Sequence, residues 1–291
     1  MADIRWQRRI AQDLEEPVLL LAFQGWSDAA ESASMALDYL RKRLGAKLVA
    51  TISADEYFDF TVVRPQITLD HRGARQLSWP DIRLYVAQTP PGSMDFVFLK
   101  GFEPQLRWRR FANTVLEASR SLGVERVISM GALLSDVAHS RPIKVIGSSS
   151  DPMVTVKTGL TPSKYEGPTG IVGVLQAMSQ QQGMVSTSLW ANIPHYVAQT
   201  PSPKGALAII RKIQLLLDLE MDLSDLELDT QEYQKQVDAI IAADDDARAY
   251  IADLESRIDE EEDPEVMTIA SADELASAAE KFLRELSGED E

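Results

Sequence analysis

The chain has 291 residues, and its 45% of hydrophobic and 25% of charged residues are the proportions of an ordinary globular protein. It has no cysteine, which excludes disulfides, thiolate nucleophiles and cysteine-ligated metal centres, and its three histidines do not favour a histidine-rich metal site. No apolar run reaches the ~18 residues that a membrane helix needs, and no secretion signal is recognisable, so we expect a cytoplasmic protein without a membrane segment, metal or cofactor.

The net charge of −16 is unevenly distributed. From Arg211 to the end there are 26 acidic and seven basic residues, whereas residues 1–210 hold 19 acidic and 22 basic residues. A nearly neutral body therefore precedes an acidic region, which would repel phosphate backbones and argues against a nucleic-acid partner. The acidic surface serves either solubility alone or the choice of a basic protein partner.

The body alternates predicted strands with predicted helices. Short apolar runs predict strands at 17–23, 47–53, 82–88, 94–99, 124–130 and 184–190, and apolar residues spaced by three and four predict helices at 29–44, 108–122 and 171–178. This alternation predicts an α/β fold with three layers (α/β/α) and a mainly parallel or mixed sheet. Residues 148–170, rich in Gly, Pro, Ser and Thr, are expected to form a long loop around Val154-Thr155-Val156, either functional or mobile.

After Ser202, a predicted helix N-cap followed by Pro203, only helices are expected. One seam steps by four and three: Tyr233, Val237, Ile240, Asp244, Ala247, Ile251, Leu254 and Ile258. It packs either within the chain, which we favour, or against a second copy. A capping box, Ser271 with Glu274, precedes a last predicted helix over 275–286. We therefore divide the chain into an α/β core domain (1–220) and an acidic helical region (221–291).

The segment Gly25-Trp26-Ser27-Asp28-Ala29 lies between the first predicted strand and its helix. One hypothesis is a nucleophile elbow with Ser27 exposed on the turn, although the elbow signature has Gly where Ala29 stands. A catalytic triad would also need His139 or His195 nearby, with a carboxylate. The favoured interpretation is that Ser27 or Asp28 caps the helix, and anion binding by free helix amides is a third.

Further polar residues follow other predicted strands or open a helix. In 136–142, Asp136, His139 and Arg141 could bind a phosphate or position a base, but an Asp–Arg and His–backbone network that holds a loop is favoured. Glu166 and Thr169 precede the predicted helix at 171, where they admit an anion or merely form a capped tight turn. His195 follows the last predicted strand. The candidate ligand or anion site is Ser27, Asp28, His139, Arg141, Glu166, Thr169 and His195, and no residue is assigned as catalytic.

Taken in order, several of these runs resemble the proteasome assembly chaperone 2 family, in its bacterial branch. They are Gly25-Trp26-Ser27-Asp28-Ala29; Lys100-Gly101-Phe102-Glu103-Pro104 with Trp108 and Phe111 behind it; Gly123-Val124 leading to Met130-Gly131-Ala132; Asp136 to Pro142; Tyr165-Glu166-Gly167-Pro168-Thr169-Gly170; and Ser188-Leu189-Trp190-Ala191 through His195-Tyr196. The resemblance spans roughly residues 18 to 220. It implies an α/β core similar to that of nucleoside phosphorylases and related hydrolases, and a role as a scaffold that assembles other proteins.

Three functions follow from these observations. The first is a non-catalytic assembly factor that binds proteasome α subunits or another complex and forms homo-oligomers. The second is a small-molecule protein, nucleoside- or phosphate-binding or a hydrolase, that uses the carboxyl edge of the sheet. The third is an acidic helical adaptor acting through residues 221–291. We favour the first, because no complete catalytic signature is present, and leave open whether the chain has any enzymatic activity.

Overall fold

The computed structural model of the chain describes residues 4–7, 13–160 and 165–261. Its ten strands are β1 (Ile4–Trp6), β2 (Val18–Gln24), β3 (Lys47–Ile52), β4 (Gln66–Leu69), β5 (Arg75–Ser78), β6 (Ile82–Ala87), β7 (Phe96–Phe102), β8 (Arg126–Ser135), β9 (Val145–Ser149) and β10 (Val185–Pro194). Its seven α-helices are α1 (Ser32–Arg43), α2 (Trp108–Ser121), α3 (Pro152–Thr158), α4 (Ile171–Gln181), α5 (Pro203–Leu217), α6 (Ser224–Ala242) and α7 (Asp245–Glu261). These counts refer to the residues just given.

Eight strands form one mixed sheet in the order β1-β3-β6-β7-β2-β8-β10-β9. The four central strands, β7, β2, β8 and β10, run parallel, and the strands on either side are antiparallel to their neighbours. Helices cover both faces, which confirms the predicted three-layer α/β fold with a mixed sheet. Strands β8 and β10 extend four residues or more beyond their predicted ends, and they pair along ten residues.

Strand β2 shows how the sequence builds two cores from one strand. Because successive side chains of a strand point to opposite faces, Val18, Leu20 and Ala22 enter the core under α1 and α5. Leu19, Leu21 and Phe23 enter the other core, under α2 and α4. A strand buried on both faces is therefore apolar at every position, as the continuous run in the sequence predicts.

The prediction of one long loop over 148–170 is wrong for its first half. Strand β9 pairs with β10 up to Ser149, and α3 follows at once. Asp151 caps α3 by accepting a hydrogen bond from Met153 N (2.9 Å), and Gly159 ends it in the left-handed conformation. The helix is short and carries β-branched residues, which have low helix propensity, so its periodicity is not visible in the sequence.

A second feature not predicted is the two-stranded hairpin β4–β5, which stands outside the main sheet. All eight of its residues are exposed. Ile67 pairs with Leu77 across the hairpin, and Leu69 lies on the same face because it is two residues from Ile67. The hairpin therefore presents apolar side chains to solvent.

The helices after residue 202 pack against the body. Ser202 caps α5 as predicted, accepting a hydrogen bond from Gly205 N (3.1 Å). The predicted seam is split between α6 and α7: Tyr233, Val237, Ile251 and Leu254 are buried within the chain, whereas Ile240 is exposed. Leu226 of α6 joins the core of α1 and α5. The capping box at Ser271 and the helix predicted over 275–286 lie outside the described residues.

The described ranges hold neither a membrane-spanning helix nor a cluster of metal-ligating side chains. Within them, no helix is both long and apolar enough to cross a bilayer. Nor does that part of the chain contain three or more His, Cys, Asp or Glu side chains grouped to hold a metal ion.

Candidate functional site

The carboxyl ends of the parallel strands meet at a topological switch point. The chain leaves β2 toward β3 on one side of the sheet and leaves β8 toward β9 on the other side. Ligands of open α/β sheets bind in the crevice that such a divergence creates. Here the crevice is a cavity of about 820 Å³ lined by the segment after β2, residues of β8, β9 and β10, and residues around the start of α4.

Asp28 is one of the residues that line this cavity, and its side chain caps α1. Its Oδ1 accepts hydrogen bonds from the backbone amides of Ala33 (2.8 Å) and Ser34 (3.1 Å), so the capping interpretation is correct for Asp28. The residue is 7% exposed, and its Oδ2 is buried with no hydrogen-bond partner within the described part of the chain. Burial raises the pKa of this carboxyl, although the hydrogen bonds from Ser34 and Ala33 oppose the shift.

Ser27 is not exposed on the turn, so the nucleophile-elbow prediction is wrong. The residue is 1% exposed and does not line the cavity. A Cβ on Gly170 would lie 2.6 Å from Ser27 Oγ and 2.7 Å from Glu103 Oε1, so these three residues pack in direct proximity. The hydroxyl is therefore enclosed by the start of α4, where a substrate carbonyl has no room.

Glu103 is a capping residue that the sequence analysis quoted in a family motif but did not include in the candidate site. Its Oε1 accepts a hydrogen bond from Ile171 N (2.8 Å) and so caps α4, the role expected of Thr169. Thr169 instead lines the cavity, and its hydroxyl lies 3.5 Å from the carbonyl of Gly170. Glu166 is exposed and does not line the cavity. Glu103 and Ile171 are 68 residues apart, so no local pattern pairs them.

His139 lies in a separate cluster, not at the cavity. Its Nδ1 is 2.8 Å from Tyr196 Oη, and its Nε2 is 3.1 Å from Oδ1 of Asp238 on α6. Lys204 donates to the carbonyl of His139 and to Gln234 Oε1. Burial lowers the pKa of His139, although Asp238 opposes this, and burial raises the pKa of Tyr196 to about 12.

Arg141 and His195 belong to the same cluster. Arg141 Nη2 is 2.6 Å from Oδ2 of Asp259 on α7, and His195 Nδ1 is 3.2 Å from Asp136 Oδ1. The ring of His195 also packs edge-on against Tyr196 and Tyr250. A network holds this segment, as the favoured interpretation expects, but its partners are wrong: Arg141 pairs with Asp259 and not with Asp136, and the ring nitrogens of His139 contact side chains and not backbone. We call these residues the clamp, because they fasten the loop to α6 and α7.

The predicted site therefore divides into two groups. Asp28 and Thr169 line the cavity, with Ser27 enclosed beside them. His139, Arg141 and His195 form the clamp, and Glu166 joins neither group. No histidine is placed to activate Ser27, so the geometry does not form a catalytic triad.

Replacing Asp28 tests its role as a cap. We expect Asp28→Ala to lower the free energy of unfolding by about 1–2 kcal/mol, because two amides of α1 lose their acceptor. Asp28→Asn keeps an oxygen at Oδ1 and should lose less. Urea denaturation measures both variants.

The difference in stability between the wild type and Asp28→Asn should also depend on pH. Because the folded-state pKa of Asp28 is raised above 3.8, its protonated form contributes stability that is lost as pH rises through that pKa. The wild type should therefore lose stability relative to Asp28→Asn as pH increases from about 4 to 7. Equal stability of Asp28→Ala and wild type at every pH would contradict the capping role.

The clamp should weaken in mild acid. Because the pKa of His139 is lowered below 6.5, its contribution to stability is present above 6.5 and lost as pH falls through the folded-state pKa. We expect the urea midpoint to fall more steeply between about pH 7.5 and 5 in the wild type than in His139→Gln. His71→Gln, at an exposed histidine, is the matched control and should keep the wild-type slope. Parallel slopes for wild type and His139→Gln would refute this account.

The chain is similar to known proteins of one family. The model of the PAC2 family matches residues 22–241, a stretch that contains the whole cavity. The structure of a PAC2 family protein from Streptomyces avermitilis is 41% identical, with a TM-score of 0.74, over 80% of this chain and 99% of that one. No curated protein matches the sequence.

Two further solved structures come from Mycobacterium tuberculosis. A proteasome-assembly chaperone homologue is 34% identical, with a TM-score of 0.74, over 80% of this chain and 99% of that one. A protein of unknown function is 27% identical, with a TM-score of 0.81, over 89% and 91% of the two chains. The family resemblance drawn from the ordered motifs is thereby confirmed.

Proposed function

The chain belongs to the PAC2 family, and we propose that it is a non-catalytic assembly factor that binds subunits of a larger complex, specifically proteasome α subunits. The observation that carries this proposal is the likeness, 34% identical over almost the whole of the other chain, to a protein described as a proteasome-assembly chaperone homologue.

The chemistry of the described residues supports a non-catalytic role. The serine that most resembles a nucleophile is enclosed, and the buried histidine has both ring nitrogens engaged by Tyr196 and Asp238. A general base needs a nitrogen within hydrogen-bond reach of the proton that it removes, and the hydroxyl beside His139 is that of Tyr196, not that of Ser27. Neither residue meets the needs of a hydrolase.

The hairpin β4–β5 supports binding to another protein. Its apolar face consists of Ile67, Leu69 and Leu77, and Trp79 follows with its ring packed edge-on against Phe60; all four side chains are more than half exposed. An isolated two-stranded hairpin is at most marginally stable in water, and exposed apolar patches of this kind typically mark interfaces. The hairpin face is therefore our candidate for contact with the partner subunit.

Co-purification tests the role and the surface together. A tagged full-length chain, expressed in its native host, should retain proteasome α subunits. The double variant Ile67→Ser with Leu77→Ser should lose them without changing the thermal midpoint, because both side chains are exposed. Leu228→Ser, at an exposed leucine of α6, is the matched control and should retain them. Failure to recover α subunits, with normal proteasome assembly in a deletion strain, would reject the proposal.

Self-association also remains part of the proposed function, supported by the family resemblance. The helical seam no longer supports it, because Tyr233, Val237, Ile251 and Leu254 are buried within the chain. Light scattering on the purified full chain should give a mass above 32.3 kDa. A monomer mass across a concentration series would remove this part of the proposal and leave the rest standing.

A further inference from the structure

The cavity at the switch point offers a ligand no counter-charge. Among the described residues that line it there is no Lys, Arg or His, and Asp28 is the only carboxylate. Oδ1 of Asp28 already accepts from two amides of α1, and its Oδ2 is buried. The first amide of α4 is likewise taken, by Glu103. A charged ligand would therefore lose its hydration here without gaining a partner of opposite charge.

Three aromatic residues that line the cavity are held in place by their neighbours in the fold. The ring of Trp190 packs over Gly131, where an added Cβ would lie 2.5 Å from it. The ring of Trp26 lies against the start of α4, where a Cβ on Gly170 would lie 3.1 Å from it. Tyr165 donates a hydrogen bond from its hydroxyl to the backbone carbonyl three residues later (2.9 Å). Walls that are positioned before a ligand arrives lower the entropic cost of binding it.

The polar side chains that line the cavity, apart from Asp28, are uncharged. Gln176 of α4 donates its Nε2 hydrogen to Oγ of Ser148 on β9 (3.1 Å), and that hydroxyl lies 3.2 Å from Oγ of Ser188 on β10. Gln176 and Ser188 line the cavity together with Thr169 and Gln199. Amides and hydroxyls can exchange hydrogen bonds with a polar group of a ligand, but they do not neutralise a charge.

We propose that this cavity binds an uncharged aromatic compound that carries a hydrogen-bonding group. The volume of about 820 Å³ is that of a small-molecule pocket, and such pockets are typically lined by apolar and aromatic side chains with a few polar groups. Leu133, Ile146 and Ala132 add apolar surface to that of the three aromatic residues. A phosphate-like ligand, which the sequence analysis considers for this site, is not favoured. The site goes beyond the assembly role, and it does not involve the hairpin face through which that role is proposed to act.

Probes of one shape and different charge test the proposal. Isothermal titration of the full-length chain at about pH 7.5 would compare 2-naphthamide, which is neutral, with the 2-naphthoate anion and the 2-naphthamidinium cation. We expect the amide to bind at least about tenfold more tightly than either ion, because both ions lose hydration without gaining a counter-charge. The saturated decahydro analogue of the amide should bind about threefold more weakly or worse, because it cannot stack on the aromatic rings.

Variants of two exposed tryptophans locate the binding. Trp26→Ala removes a side chain that is 65% exposed, so the fold should survive, and it should weaken binding of 2-naphthamide by about tenfold. Trp26→Phe should restore most of the affinity. Trp6→Ala, at an exposed tryptophan outside the cavity, is the matched control and should bind as the wild type does. Either ion or the saturated amide binding as tightly as 2-naphthamide, no binding of 2-naphthamide, or unchanged binding in Trp26→Ala would overturn the proposal. Loss of α-subunit binding in the hairpin variant would leave these results unchanged, so the two proposals can fail separately.

Discussion

Two carboxylates at the carboxyl edge of the sheet set the arrangement of everything around them. Asp28 holds the first amides of α1, and Glu103 holds the first amide of α4, which lies on the opposite face. Unpaired amides at a helix start must be satisfied by some acceptor, so these caps position both helices against β2 and β8. The acceptors for these helix amides are therefore carboxylates of the chain itself.

The clamp attaches the acidic helices α6 and α7 to the body of the protein. α6 and α7 approach the body through His139, Arg141 and Tyr196, and Ala138, Ile251 and Leu254 form a small apolar cluster beneath them. Some acidic residues of these helices therefore form contacts within the chain: Asp238 contacts His139, and Asp259 contacts Arg141. Acidic composition alone does not show this, because it is equally typical of a surface that merely keeps a protein soluble.

Local patterns determined how much of this structure could be predicted. Buried elements leave a pattern in the sequence, such as the apolar run of β2 and the spacing of Ala33, Ala36, Leu37 and Leu40 on α1. The central strands, the main helices and the layered fold could therefore be predicted. The hairpin β4–β5 and helix α3 are mostly exposed and leave no such pattern. At the site, Asp28 as a cap was predictable because a cap is local, whereas Glu103 reaches α4 across 68 residues and could be found only from the fold.

The contrast between Ser27 and Asp28 decides what kind of site the turn after β2 can be. Neighbouring residues of an extended turn point in different directions: the Ser27 hydroxyl is enclosed by Gly170 and Glu103, while Asp28 directs Oδ1 to the amides of α1 and keeps Oδ2 buried. A hydrolase requires the opposite arrangement, with the hydroxyl open to substrate and a histidine beside it. Because the serine is excluded from the cavity, the turn after β2 presents no nucleophile there.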